Sequence, residues 1–317
     1  MQMKAIQITE FGNADVMKYV DLADPIAGTD EVVLDVTAVG INYADTHQIE
    51  NSYLTPQTLP MIPGIEVVGT HEGKRYLASV SFGGYAQKAI AHKSVLFPIP
   101  NSVTDQQALC MLVQGTTAWH LLKTMSNLQK GQSVVVHAAA GGVGTIAIQL
   151  AKLWGGKVIA VTSSVEKSKL ATSLGADIVV DAYSSDLTAA IRQANGGRGV
   201  DVVLEMVGGT TFDQSLAALG DFGKIITFGM ASRRAPTPIH PGSLVNGSKT
   251  VSGFWLANCF GKKELLNDVV AELFQLVSEG KLKPVIGATF PLSKAADAHR
   301  SMLSRESTGK IALDPAQ

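Results

Sequence analysis

The sequence predicts an α/β protein in which a doubly wound parallel sheet of six strands is joined to a β-rich domain. Three observations lead to this. From Ser133 onward, β-branched apolar runs alternate with helical stretches, as expected of parallel strands buried on both faces. Before that, short strand-like runs are punctuated by turn residues. Between the two regions, Val134-Val135-Val136-His137-Ala138-Ala139-Ala140-Gly141-Gly142-Val143-Gly144 reads as a strand and a glycine-rich turn opening a helix.

Taken in order, runs 3–8, 31–39 and 65–69 read as strands of the β-rich part, with turns at Asp24-Pro25, Pro63-Gly64 and Phe82-Gly83-Gly84. The strands of the parallel sheet are expected at 133–138, 157–161, 177–180, 200–206, 224–228 and 250–255. Helices are expected at 165–174, 186–194 and 210–219. An amphipathic helix over 262–279 and a strand at 310–313 close the chain and return it to the β-rich part.

Composition narrows the function. The chain has 317 residues, 46% hydrophobic and 17% charged, with a formal net charge of −1, which suits an ordinary enzyme of two domains. There is no basic excess to attract nucleic acid or an anionic membrane. No apolar run approaches the ~20 residues of a membrane span. The two cysteines, Cys110 and Cys259, lie far apart in apolar sequence, so the expectation is a reducing cytoplasm and no disulfide framework.

The glycine turn carries the chemistry. Backbone N–H groups at the start of a helix that follows such a turn face a pyrophosphate. Ala139, Gly141 and Gly144 match the dinucleotide fingerprint as A-x-G-x-x-G. Gly141 admits the phosphates, and Gly144 allows close helix packing. Ala140, Gly142 and Val143 complete the turn. At the end of the second strand, where an NAD site places an acid on the ribose 2′-hydroxyl, the chain has Val161-Thr162-Ser163-Ser164. Small hydroxyls at Thr162 and Ser163 tolerate a 2′-phosphate, so the expected cofactor is NADPH.

Three motifs in order, Gly40-Ile41-Asn42-Tyr43-Ala44-Asp45, Pro63-Gly64-Ile65-Glu66-Val67-Val68-Gly69 and the glycine turn, resemble the medium-chain dehydrogenases/reductases. The closer resemblance is to their zinc-free quinone oxidoreductase (zeta-crystallin-like) branch, over essentially the whole length. It implies a GroES-like catalytic domain (1–116 and 258–317) and a Rossmann domain (117–257), with the cofactor in the cleft between them. Relatives have a longer segment where this chain has only 70–82, which bears on the rim of the substrate cleft.

The resemblance also implies site residues. Zinc-dependent relatives have a cysteine at the position of Asn42 and a histidine at that of Ile65, and Val113-Gln114 offers no third ligand. No metal is expected, since a catalytic zinc needs three protein ligands. Without a Lewis acid, the favoured acceptor is a quinone or another conjugated carbonyl that spreads the incoming charge. Tyr43 is the candidate proton donor, or else packs against the nicotinamide. Asn42 contacts cofactor or substrate, and Asp45 is structural. Lys167 aligns with the lysine that neutralises the 2′-phosphate; the alternative is a solvated lysine. Thr117 falls near the nicotinamide ribose. Phe228-Gly229-Met230 pass the ring, Trp255-Leu256 bond the carboxamide and Lys310 lies near the cleft. Core packing is the alternative role of Phe228 and Trp255.

Two further readings stay open. Gly253-Phe254-Trp255-Leu256 resembles a stretch of enoyl-thioester and enone reductases. A low-turnover NADPH-binding structural or regulatory protein is the reading from another class. The strand at 250–255 leaves an apolar sheet edge, and a homodimer through that edge would cover it.

Overall fold

The computed structural model describes residues 1–80 and 83–317. Two compact units are present, Met1–Val113 with Gly261–Gly280 and Pro284–Gln317, and Gln114–Phe260 with Lys281–Lys283.

The first unit begins with an antiparallel pair, β1 (Gln2–Gln7) and β2 (Lys18–Ala23). Next come β3 (Glu31–Gly40), α1 (Tyr43–Ile49), β4 (Glu66–His71), β5 (Lys74–Ser79), β6 (Lys88–His92), β7 (Leu96–Pro98) and α2 (Asp105–Leu109). Along β3, Val32, Leu34 and Val36 are buried and alternate with more exposed positions, as in a half-buried strand. From Ala38 to Gly40 burial becomes continuous, so the chain enters the interior just before Asn42.

The short segment after Gly69 is a tight hairpin. Its loop residues, Glu72 and Gly73, have φ of 49° and 74°, the left-handed pair of a type I′ turn. The last two residues of the 70–82 segment, Ser81 and Phe82, lie outside the described residues.

The second unit contains α3 (Thr116–His120), β8 (Ser133–Val136), α4 (Gly142–Leu153), β9 (Lys157–Thr162), α5 (Val165–Ser173) and β10 (Ile178–Asp181). It continues with α6 (Leu187–Ala194), β11 (Val200–Glu205), α7 (Gly209–Ala218), β12 (Leu219–Thr227) and β13 (Thr250–Gly253). Its six strands run parallel in the order β10-β9-β8-β11-β12-β13. The order reverses between β8 and β11, which makes the glycine turn after β8 the switch point of a doubly wound sheet. Val135, Ile159, Val203 and Ile225 are buried in its core with Ile191 and Phe212 from the helices. β12 starts five residues before the expected strand, with a register shift opposite β11.

The chain then returns to the first unit as α8 (Asn267–Ser278), β14 (Ile286–Pro291), α9 (Ala295–Leu303) and β15 (Lys310–Asp314). The expected helix at 262–279 is shorter at its start because residues 263–266 form a turn. The large sheet of this unit has the order β14-β15-β3-β4-β5-β7, with β6 on β3. Its pairings are antiparallel except β14 with β15.

Candidate active site

In the second unit the glycine turn is held by its own backbone. Ala138 has φ of 47°, and the Gly141 N–H donates to its carbonyl at 2.8 Å. Gly144 is packed so closely that a Cβ would run into the Ala138 oxygen and stand 2.7 Å from Ala139 Cα. Its close approach is thus to the turn itself rather than to the sheet. A Cβ on Gly142 would overlap the side-chain amide of Gln114. The Gln114 Oε1 is buried and bonds to no protein atom. In the sequence Gln114 stands out only as a residue that cannot complete a metal site. Its signal was a polar residue in the Gln114-Gly115-Thr116-Thr117 run, and the packing on Gly142 became visible only in three dimensions. The helix start, which no side chain caps, fits a dinucleotide phosphate, whereas the unpartnered Gln114 Oε1 is an acceptor and offers phosphate no donor.

The other candidate cofactor residues follow the C-terminal ends of strands in this same sheet. At the end of β9, buried Thr162 bonds Ser168 Oγ at 2.8 Å, and Ser163 leads to Ser164, which caps α5 by accepting the Lys167 N–H at 3.3 Å. Half-buried Lys167 lies in the first turn of α5. Exposed Glu166 beside it is held below the usual carboxylate range by its own backbone N–H and by Ser164. Phe228, Gly229 and Met230 follow β12, with Phe228 N–H bonded to the Glu205 carbonyl at 2.9 Å. Trp255 and Leu256 follow β13 and open a short turn. Because the strands are parallel, the structure brings Ala140–Gly144, Thr162, Ser163, Lys167, Phe228–Met230 and Trp255–Leu256 to the C-terminal end of the sheet. Thr117 lies apart from that series, buried in α3.

At the same end of the sheet, buried Glu205, the last residue of β11, accepts N–H bonds from Val207 and Gly208 at 2.7 and 3.0 Å. Burial raises its carboxyl while those bonds oppose the rise. His137 bonds Ser215 Oγ at 2.8 Å, and burial pushes its imidazole down to about 4. It is therefore neutral and ties the turn to α7.

In the first unit, Asn42, Lys310 and Glu66 form one buried cluster. Lys310 Nζ donates to Asn42 Oδ1 at 2.9 Å and to Glu66 Oε1. Glu66 Oε2 accepts the Val113 N–H at 2.7 Å. Tyr43 follows Asn42 as the half-buried first residue of α1, its ring 5.7 Å from that of His47. Asp45 accepts the Asn42 N–H at 2.9 Å and the Tyr85 hydroxyl at 2.9 Å. Tyr85 also bonds His299 Nε2 at 2.9 Å. Burial pushes Asp45 up to about 6 and His299 down to about 4. Burial, and then Asp45, raise the Tyr85 hydroxyl well above its ordinary value.

These residues do not suit a metal. A side-chain ammonium already satisfies Glu66, Asn42 supplies only an amide, and Ile65 supplies no ligand atom. Among the described residues no group of three or more His, Cys, Asp or Glu could hold a metal ion. Both cysteines are buried and outside any disulfide, and burial pushes the Cys110 thiol up to about 12.

Comparison with known proteins agrees with this geometry. The family model described as zinc-binding dehydrogenase matches residues 142–278, and that described as alcohol dehydrogenase GroES-like domain matches residues 28–74. The quinone oxidoreductase of Sus scrofa is 30% identical, over 98% of this chain and 97% of its own. Quinone oxidoreductase from Thermus thermophilus, solved alone and with NADPH, superposes with a TM-score of 0.89 at 36% identity, covering 98% of this chain and 100% of that one. The Escherichia coli quinone oxidoreductase complexed with NADPH gives a TM-score of 0.92 at 28% identity, covering 98% and 100%. The chain belongs to the medium-chain dehydrogenases/reductases and, within them, to the zinc-free quinone oxidoreductase family.

Proposed function

We propose that this chain is an NADPH-dependent quinone reductase that works without a metal. The observation that carries the reading is the acid-free end of β9, where Thr162, Ser163 and the Lys167 helix start replace the carboxylate of an NAD site. The NADPH complexes of the two bacterial quinone oxidoreductases support it.

When bound, the cofactor supplies a hydride, which is two electrons with one proton. A quinone needs two electrons and two protons to become a hydroquinone, so one more proton must come from Tyr43 or solvent. The uncapped start of α4 holds phosphate, and Lys167 pairs the 2′-phosphate. Thr117, Phe228–Met230 and Trp255–Leu256 orient the nicotinamide half. Asn42 directs an N–H toward ligand oxygen. Because the donor set does not suit a Lewis acid, the acceptor must spread its charge by conjugation.

The Gly253-Phe254-Trp255-Leu256 stretch favours enones and enoyl thioesters as a second acceptor class. We further assign a cytoplasmic site of action, a small-molecule substrate with no nucleic-acid or membrane partner, and a two-fold pair through β13. That strand is one of the two edges of the parallel sheet, and sedimentation as a monomer would contradict the pair. Among the described residues no helix is long and apolar enough to cross a membrane.

The test is NADPH and NADH oxidation against matched panels of quinones, enones and enoyl thioesters, on the parent and on Lys167→Ala. The expected result is turnover with quinones and a Lys167→Ala defect of about tenfold or more for NADPH alone, the scale of one charge-assisted contact. Equal defects for both cofactors would remove the phosphate-pairing role. Tight NADPH binding without turnover of any acceptor would point to a regulatory protein instead.

A further inference from the structure

The Asn42–Lys310–Glu66 cluster has a feature that the proposed reaction does not explain. Lys310 opens β15 and Glu66 opens β4, the strands on either side of β3. Their side chains are 1% and 0% exposed, and they meet across Gly40, the last residue of β3. The crossing requires a glycine. A Cβ at position 40 would run into Glu66 Oε1 and stand 2.8 and 2.9 Å from Lys310 Cε and Nζ.

An ammonium donates hydrogen bonds and accepts none. Lys310 Nζ therefore selects the carbonyl end of the Asn42 amide, which it meets at 2.9 Å, and the NH2 end must face the other way. There, Asn42 Nδ2 is buried and bonds to no protein atom. The residue as a whole is 5% exposed. An unmet buried amide donor is costly, and native proteins rarely carry one without a role. Asp45 accepts the Asn42 backbone N–H at 2.9 Å, which holds the main chain from which the side chain departs.

We propose that Lys310 and Glu66 are positioning residues that lock the Asn42 amide with its NH2 group presented to an oxygen atom of the bound ligand. The inference rests on the functional reading above and deepens it. The ammonium at Oδ1 also polarises the amide and strengthens the N–H donor. A cation is thus present in the site after all, as a side chain acting through Asn42. The oxygen is a neutral acceptor from one of two sources, a ribose hydroxyl of the dinucleotide or the carbonyl of the quinone.

A mutant cycle tests this. Asn42→Ala is made in the parent and in Lys310→Met/Glu66→Gln, which removes the ammonium without stranding a buried carboxylate. Each protein is assayed for NADPH dissociation by fluorescence and for kcat and KM with 1,4-benzoquinone. In the parent, Asn42→Ala is expected to cost about tenfold or more in one readout, the scale of one lost preorganised donor. In the doubly substituted background the same change is expected to cost about twofold or less, because the amide is no longer oriented. A kcat loss at unchanged NADPH affinity assigns the quinone carbonyl, and a loss in NADPH affinity assigns the ribose hydroxyl. Equal losses in the two backgrounds, in both readouts, overturn the proposal. If that double substitution does not fold, Lys310→Gln/Glu66→Gln, which removes the charge and leaves an amide able to face Asn42 with either end, provides the second background and is judged by the same comparison. If the parent oxidises no NADPH with any quinone, the functional reading fails while the cycle is still read in NADPH affinity.

Discussion

Tyr43, at the head of α1 and next to an Asn42 held on two sides, is the residue to which we assign the second proton. Tyr43→Phe should lower kcat with a quinone by roughly 10²-fold, the usual scale for loss of a general acid, with NADPH affinity little changed. An unaltered kcat would assign the proton to solvent. Asp45 makes a different prediction. Its carboxyl stands at about 6 in the folded chain against 3.8 in the reference state, with burial as the main cause. Between those values the folded chain holds a proton that the unfolded chain has released. The group therefore lowers stability as pH rises from about 4 to 6, by roughly 3 kcal/mol once fully ionised. Asp45→Asn does not titrate, so its Tm relative to the parent should rise by several degrees between pH 4 and pH 8. His299, which loses stability in the opposite direction as pH falls, remains in both proteins and largely cancels. A Tm difference independent of pH would contradict the assignment.

At the scale of elements, what the sequence made legible follows from how local each signal is. The central parallel strands β8, β9 and β11 were readable because burial on both faces demands continuous β-branched runs, and β8 is buried throughout. Strand and helix ends were less readable. The apolar periodicity at 262–266 continues through a turn before α8, and β12 begins at Leu219 although that residue also suits the end of α7. The Glu72-Gly73 hairpin loop needed two left-handed residues that the strand pattern alone did not announce. The glycine turn was legible because its requirement lies within a few residues. The buried polar clusters were not: Lys310 is 244 residues from Glu66, and His299 is 214 from Tyr85, so no local pattern links them. The turn also ranks its glycines. Gly144→Ala meets backbone, whereas Gly142→Ala meets the movable Gln114 side chain. Gly144→Ala should cost about 1–3 kcal/mol by overpacking and abolish tight NADPH binding. Gly142→Ala should retain more of both, by calorimetry and fluorescence titration. The reverse order would show that the phosphate cradle is built differently.

For the whole chain, the charge balance and the donor set lead to one chemical statement. A net charge of −1 offers no polyanion footprint, so recognition falls to the sites in the two units. Each unit also buries a neutral imidazole, His299 in one and His137 in the other. The ionic part of the candidate active site is an internal Lys310–Glu66 pair, in a family whose zinc-dependent members rely on a metal. Reduction by this chain should then need a conjugated acceptor and no added cation. The most direct measurement is NADPH oxidation by protein treated exhaustively with a chelator and analysed for metal. The account predicts an unchanged rate with 1,4-benzoquinone and no measurable rate with a saturated ketone. Stoichiometric zinc in the untreated protein, removed together with activity and restored together with it, would contradict the account.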